Sequence, residues 1–326
     1  MAGFVVEKNG FISASACMAD VAETMIANGF TQIYPVTAFE AANVVGDVFK
    51  VTLEASSSVD PLQATQPWRI HIEAVSKDLV SVVVATPTQL LVDGSYAYET
   101  NISGGNIDVL GSVGGQVTTG EYLPTNLNCG FINRTTRVGD NGTSYPLSYS
   151  LSISPRGLFI GTWEEAVTTE QSSFFNWLMV QRPVDRDTGS VITTGKSPVW
   201  CVNSTNNLFY QFIVRESDIL RPGKRRSASA NTEDSEAILN VETQVRLTED
   251  GKYVVNFPSR LNTSRYRYSY ELDMVGITSA DVVSQYSDVE LTVYGELTPR
   301  VYHALQSNKS NNTGMRLLVL QSGGGI

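Results

Sequence analysis

His71 and His303 are the only two imidazoles in this 326-residue chain, so a mechanism that needs a base changing protonation near neutral pH has two candidates for it. His71 stands between Ile70 and Ile72 on the polar side of an alternating segment, and no Gly-x-Ser-x-Gly nucleophile elbow accompanies it. His303 stands between Tyr302 and Ala304 near the C-terminus. Both read as structural or solvated side chains, and no catalytic residue is expected. Adjacent carboxylates occur at Glu164-Glu165 and Glu249-Asp250, and glycoside hydrolysis uses such groups in pairs across a cleft. Neighbouring positions say nothing of facing geometry. A capping box from Thr162 to Glu165 and a hairpin turn at 249–251 account for both pairs.

Metal and nucleotide chemistry find little more. Cys17, Cys129 and Cys201 are widely spaced with no CxxC pair, so neither a zinc site nor a disulfide framework is indicated, and small buried apolar residues are expected there. Asp185-Arg-Asp187-Thr-Gly189 opens like a calcium loop but lacks the third ligand and the closing Glu, which leaves a turn. Gly111-Ser-Val-Gly-Gly has no following Gly-Lys-Ser/Thr, so it reads as turn glycines rather than a phosphate cradle. No cofactor is expected.

Aromatic and basic residues are the remaining signal. Phe174, Phe175 and Trp177 form one cluster, and Tyr266, Tyr268 and Tyr270 alternate with Arg265, Arg267 and Ser269 so that one strand face is all tyrosine. Such residues serve core packing and protein interfaces alike, and both uses stay open. A sugar-binding platform would use similar rings. The run Lys224-Arg225-Arg226 beside Pro222-Gly223 reads as an exposed loop or a dock for an acidic partner.

Apolar residues make up 42% of the chain and charged residues only 17%, enough for a large core and less charge than an average soluble surface carries. That balance hints at surface covered by partners. The formal net charge of -10 disfavours nucleic acid as a partner, because such binding rests on Lys and Arg neutralising phosphate. Met-Ala-Gly-Phe opens the chain without a basic stretch leading into an apolar one, and no run of about 18 apolar residues occurs, so folding in a reducing cytoplasm without membrane insertion is expected.

The elements that must position these residues are mostly strands. One amphipathic helix is expected from a Ser15 cap through Met18, Val21, Ala22, Met25 and Ile26 to Asn28-Gly29. Alternation at 49–55 and 68–74 gives strands with one wet face each, and the apolar stretch 79–85 gives a more buried strand. The clearest hairpin is 241–248 with 252–257 around Asp250-Gly251, and further strands are expected at 147–153, 200–201, 210–215, 290–294 and 315–321. Short helices are expected at 163–166 and 280–286.

These elements predict a mainly β protein of antiparallel, sandwich-like domains with one N-terminal helix and a few short connecting helices. The division expected is a β domain at 1–150 bearing the helix and a second β domain at 151–326 with an exposed loop at 221–236.

The segments Arg156-Gly-Leu-Phe-Ile-Gly-Thr-Trp-Glu, Gln181-Arg-Pro-Val-Asp, Phe212-Ile-Val-Arg-Glu, Arg265-Tyr-Arg-Tyr and Gly314-Met-Arg-Leu-Leu-Val-Leu carry a general likeness. From about residue 151 onward the chain resembles virion structural proteins of large contractile-tailed bacteriophages. The resemblance implies a non-enzymatic component of a tail, baseplate, neck or capsid surface, assembled in the host bacterial cytoplasm. Its partners would be copies of itself, as a homo-oligomer, and other virion proteins. A receptor- or glycan-binding tail module, or a tail-associated glycan hydrolase, is the alternative.

Overall fold

A computed structural model describes residues 4–65, 67–85, 89–92, 96–97, 101–102, 107–108, 120–122, 129–134, 146–154, 157–164, 175–182, 184–185, 200–205, 208–215, 242–247, 254–261, 269–271, 274–279, 283–284, 286–292, 299–305 and 315–323. The protein is mainly β, and three antiparallel sheets carry its architecture. Five strands, Phe30–Tyr34, Phe49–Ala55, Arg69–Ser76, Leu79–Ala85 and Cys129–Arg134, form the N-terminal sheet. The central sheet has six, in the order Phe4–Phe11, Leu147–Ser154, Gly157–Glu164, Phe175–Gln181, Trp200–Thr205 and Leu208–Arg215. The C-terminal sheet has eight and is built around Val275–Ser279, Met315–Gly323, Arg300–Leu305 and Asp288–Leu291 on one side of Val254–Leu261.

The helix runs Ala14–Ala27. Its cap is Ser13, whose hydroxyl accepts from Ala16 N at 2.9 Å, not the expected Ser15. Ser13 has the extended backbone of a residue leaving a strand, whereas Ser15 is already in the first turn and wholly buried. The otherwise unused Ser15 N–H donates to Lys77 O, the tip of the hairpin joining Arg69–Ser76 to Leu79–Ala85. At the far end Gly29 takes a positive φ of +101°, and a Cβ there would lie 2.5 Å from Val59 Cγ2.

The central sheet is packed on both faces, and side-chain alternation decides which core each residue enters. Leu147, Tyr149, Leu151, Ile153, Leu158, Ile160, Leu178 and Val180 join the helix and the N-terminal sheet in a first core. Phe159, Trp163, Trp177 and Met179 join Val275, Tyr302, Ala304 and Leu317–Leu320 in a second. Each fully buried Leu, Ile or Phe contributes about 1.5–3 kcal/mol. The two cores are therefore separated by the thickness of one sheet, and residue 150 lies inside the strand Leu147–Ser154 rather than in a connection between domains.

That strand reads Leu-Ser-Tyr-Ser-Leu-Ser-Ile-Ser, and all eight residues are buried. The serine side lets the C-terminal sheet approach closely. Ser152 Oγ donates to Leu320 O at 2.5 Å and Ser154 Oγ lies 3.1 Å from Met274 Sδ. Gly157 allows the neighbouring strand to close in, since a Cβ there would sit 2.0 Å from Val180 O.

The expected connecting helix at 163–166 is replaced, in its described part, by strand, because Gly157–Glu164 continues through Trp163 and buries that ring in the second core. Alternation of Phe159 and Trp163 with Leu158 and Ile160 outweighs the capping-box pattern, which needs Thr162 at a helix start and finds it buried in a sheet. Of the expected helix at 280–286, residues 280–282 and 285 lie outside the described residues, while Val283 is a bend and Tyr286 a turn. The hairpin strands occur as Glu242–Leu247 and Val254–Leu261, with Leu247 opposite Val254. Both ends of the described chain, Phe4–Phe11 and Met315–Gly323, are strands within these sheets.

Candidate functional site

The seam between the central and C-terminal sheets gathers three ionisable groups from three strands. His303 Nδ1 lies 2.7 Å from Asp288 Oδ1, and its Nε2 lies 3.1 Å from Glu7 Oε1, an ion-pair distance without hydrogen-bond alignment. The cross-strand register sets Asp288 directly opposite His303. With a carboxylate at each ring nitrogen, the charged imidazole is favoured. Glu7 does most to raise the His303 pKa above its ordinary value, partial burial opposes this, and Asp288 adds to the rise. Glu7 shares its cross-strand row with Ser150, Gly161 and Trp177. The Ser150 hydroxyl in that row is buried without a hydrogen-bond partner among the described residues. Nearby in sequence, Tyr286 adopts a positive φ of 57° and stacks on Trp163 with ring centroids 6.4 Å apart.

The second histidine is the chemical opposite. His71 was expected on a wet face, yet it and its cross-strand neighbour Thr52 are each only 1% exposed. Its Nδ1 pairs with Thr52 Oγ1 at 2.9 Å. Burial first, and then the charges of Arg69 and Lys50, push its pKa down to about 3, so it is neutral at physiological pH. The flanking ion pairs Arg69–Glu54 and Lys50–Glu73 keep the rest of that face polar.

A third feature is the segment 35–48. Gln32 folds back on it, donating to Pro35 O and, at 2.7 Å, to Thr37 O, while accepting from Phe39 N at 2.8 Å. Phe39, Ala41 and Val44 point inward against the first core, and Phe39 meets Phe49 with centroids 5.3 Å apart. The outward side chains include Val36, Val45 and Val48, which are 97%, 86% and 56% exposed. The segment thus presents three exposed valines beside a Gln32-held turn.

The residues singled out from sequence are scattered. Trp177 is buried in the second core, stacked on Phe159 at 6.1 Å. Phe175 is a strand residue opposite Trp163, and Phe174 lies outside the described residues. Tyr270 sits in the strand Ser269–Glu271 opposite Asp185 and Arg260, while Tyr266 and Tyr268 lie outside the described residues. So do Lys224, Arg225 and Arg226, the whole 221–236 loop, and positions 186–189 of the calcium-like segment. Cys17 is a free, fully buried thiol whose pKa is pushed up by burial. Among the described residues, no group of three or more His, Cys, Asp or Glu is arranged to hold a metal, and no helix is long and apolar enough to cross a membrane.

Sequence reasoning missed the seam because Glu7, Asp288 and His303 are brought together only by sheet packing. It missed the 35–48 surface although a signal existed: Val36, Val44, Val45 and Val48 crowd a stretch that Pro35, Asn43, Gly46 and Asp47 mark as loop. No family model, curated protein or solved structure matches this chain.

Proposed function

We propose that this chain is a non-enzymatic structural component of a bacteriophage virion, contributing protein–protein contacts to a tail, baseplate, neck or capsid-surface assembly. The observation that carries the contact-forming part is the 35–48 segment, which exposes Val36, Val45 and Val48 and whose first turn, at 35–39, is held by Gln32 before any partner arrives. Pre-ordering lowers the entropy cost of docking, and apolar side chains covered on docking supply the driving force. The virion assignment rests on the sequence resemblance from residue 151 onward. Mass spectrometry of gradient-purified particles made by the genome that encodes the chain tests it: the chain is expected in stoichiometric amount, and its absence from the particles removes the reading.

A receptor- or glycan-binding module is the second reading, favoured by Tyr286. This ring is 45% exposed, held in a left-handed turn and backed by Trp163, an arrangement that could stack a sugar ring. Retention on immobilised host-surface glycans that is lost in Tyr286→Ala would support this reading against the first. No retention by the unaltered chain would discard it.

A further inference from the structure

We infer that Glu7, His303 and Asp288 form a proton-operated clasp that fastens the N-terminal edge strand of the central sheet to the C-terminal sheet. Among the described residues, the strand Phe4–Phe11 ends the central sheet and is paired on one side only, to Leu147–Ser154. Its neighbouring residues 7 and 8 reach in opposite directions. Lys8 Nζ contacts Asp20 of the helix at 2.8 Å, whereas Glu7 contacts His303 of the C-terminal sheet at 3.1 Å. One edge strand is thereby tied to a layer on each side of it.

The two ties differ in chemistry. Lysine keeps its charge across the physiological range, but an imidazole does not. Each His303 nitrogen faces a carboxylate oxygen, and a carboxylate can only accept. The protonated ring donates from Nδ1 to Asp288 and places its positive charge 3.1 Å from Glu7, so both carboxylates gain a partner. The neutral ring has one N–H, so either Glu7 or Asp288 then faces a bare lone pair. Three further neighbours stand among the described residues. Glu290 adds a third carboxylate on the Asp288 strand, Val319 is the cross-strand neighbour on Met315–Gly323, and buried Arg300 is turned to the Tyr302 hydroxyl at 3.1 Å. The raised pKa of His303 agrees with this geometry.

Protonation therefore closes the clasp, and rising pH opens it. The stabilisation is complete below the unfolded value of about 6.5 and disappears as pH climbs through the raised folded value. Opening leaves the strand Phe4–Phe11 held by its pairing with Leu147–Ser154 and by the Lys8–Asp20 contact, so this edge of the central sheet opens more readily.

Having only two histidines makes the test direct. With the full chain labelled at the histidine Cε1 carbons, NMR titration is expected to show one ring with a midpoint above 6.5, moving down in Glu7→Gln and in Asp288→Asn, and one ring that stays neutral through that range. Hydrogen-exchange protection of the amides in 4–11 should fall as pH passes the upper midpoint, by about tenfold for each unit that it lies above 6.5. In His303→Gln that pH dependence should vanish. Should His303→Gln fail to fold, the near-isosteric Glu7→Gln carries the same comparison. A His303 midpoint at or below 6.5, or protection in 4–11 that ignores the titration, overturns the clasp.

Discussion

Asp60 and Arg182 are 122 residues apart in sequence and form an ion pair almost without solvent, with Arg182 Nη2 2.7 Å from Asp60 Oδ2 and side-chain exposures of 4% and 9%. The same carboxylate oxygen accepts from the Trp68 indole N–H at 2.9 Å, and Oδ1 accepts from Leu62 N at 3.1 Å. The loop after Phe49–Ala55 is thus pinned to the residue that follows the central-sheet strand Phe175–Gln181. Asp60→Asn takes the negative charge out of this buried pair, so it should lower stability by about 3–5 kcal/mol. Urea unfolding checks this, with the midpoint falling and the slope unchanged.

The row of serines facing the C-terminal sheet gives a pair of opposite effects. The Ser150 hydroxyl is buried without a partner among the described residues, so Ser150→Ala should be neutral or stabilising by up to about 1 kcal/mol. Ser152 bonds Leu320 O across the sheets, and Ser152→Val loses that bond while overfilling the contact, at a cost of about 2–4 kcal/mol. Thermal unfolding of the two variants side by side separates these expectations.

Gly157 is required by its neighbour and not by its own backbone. A Cβ would meet Val180 O at 2.0 Å and Gln181 Cα at 2.9 Å, both main-chain atoms that no rotamer change can move. Gly157→Ala should cost at least about 2 kcal/mol and loosen the pairing of Gly157–Glu164 with Phe175–Gln181. Faster hydrogen exchange across those two strands is the readout.

His71 predicts acid sensitivity. Its folded pKa of about 3 lies below the unfolded value of 6.5, so the unfolded chain binds the extra proton first. The His71 contribution to stability is full above pH 6.5 and declines as pH falls toward 3, the reverse of the His303 contribution. Chemical-denaturation midpoints measured across that window should fall for the unaltered chain and flatten in His71→Gln.

The mainly β class, the N-terminal helix and the strands from Phe49 to Ala85 were legible in the sequence because each rests on local periodicity and turn chemistry. The layering was not. Leu147–Ser154 alternates large and small residues, and nothing local tells a serine face pressed against another sheet from one facing water. His71 shows the same limit, since its alternation names a face but not what covers it. The expected helix at 163–166 failed because a capping pattern is a local signal, and the burial of Trp163 overrode it. Glu7, Asp288 and His303 meet through the pairing of the first strand with one that starts at residue 147, a relation that no spacing encodes.

The exposed valines of 35–48 are expected to be contact residues of an assembly. Hydroxyl-radical footprinting, read by mass spectrometry on the isolated chain and on purified particles, measures this at Val36, Val45 and Val48. All three are expected to react readily in the isolated chain, as their exposure requires, and to be protected at least about fivefold in the particle, as residues at the dry centre of an interface are. Equal reactivity in the two samples would contradict the claim.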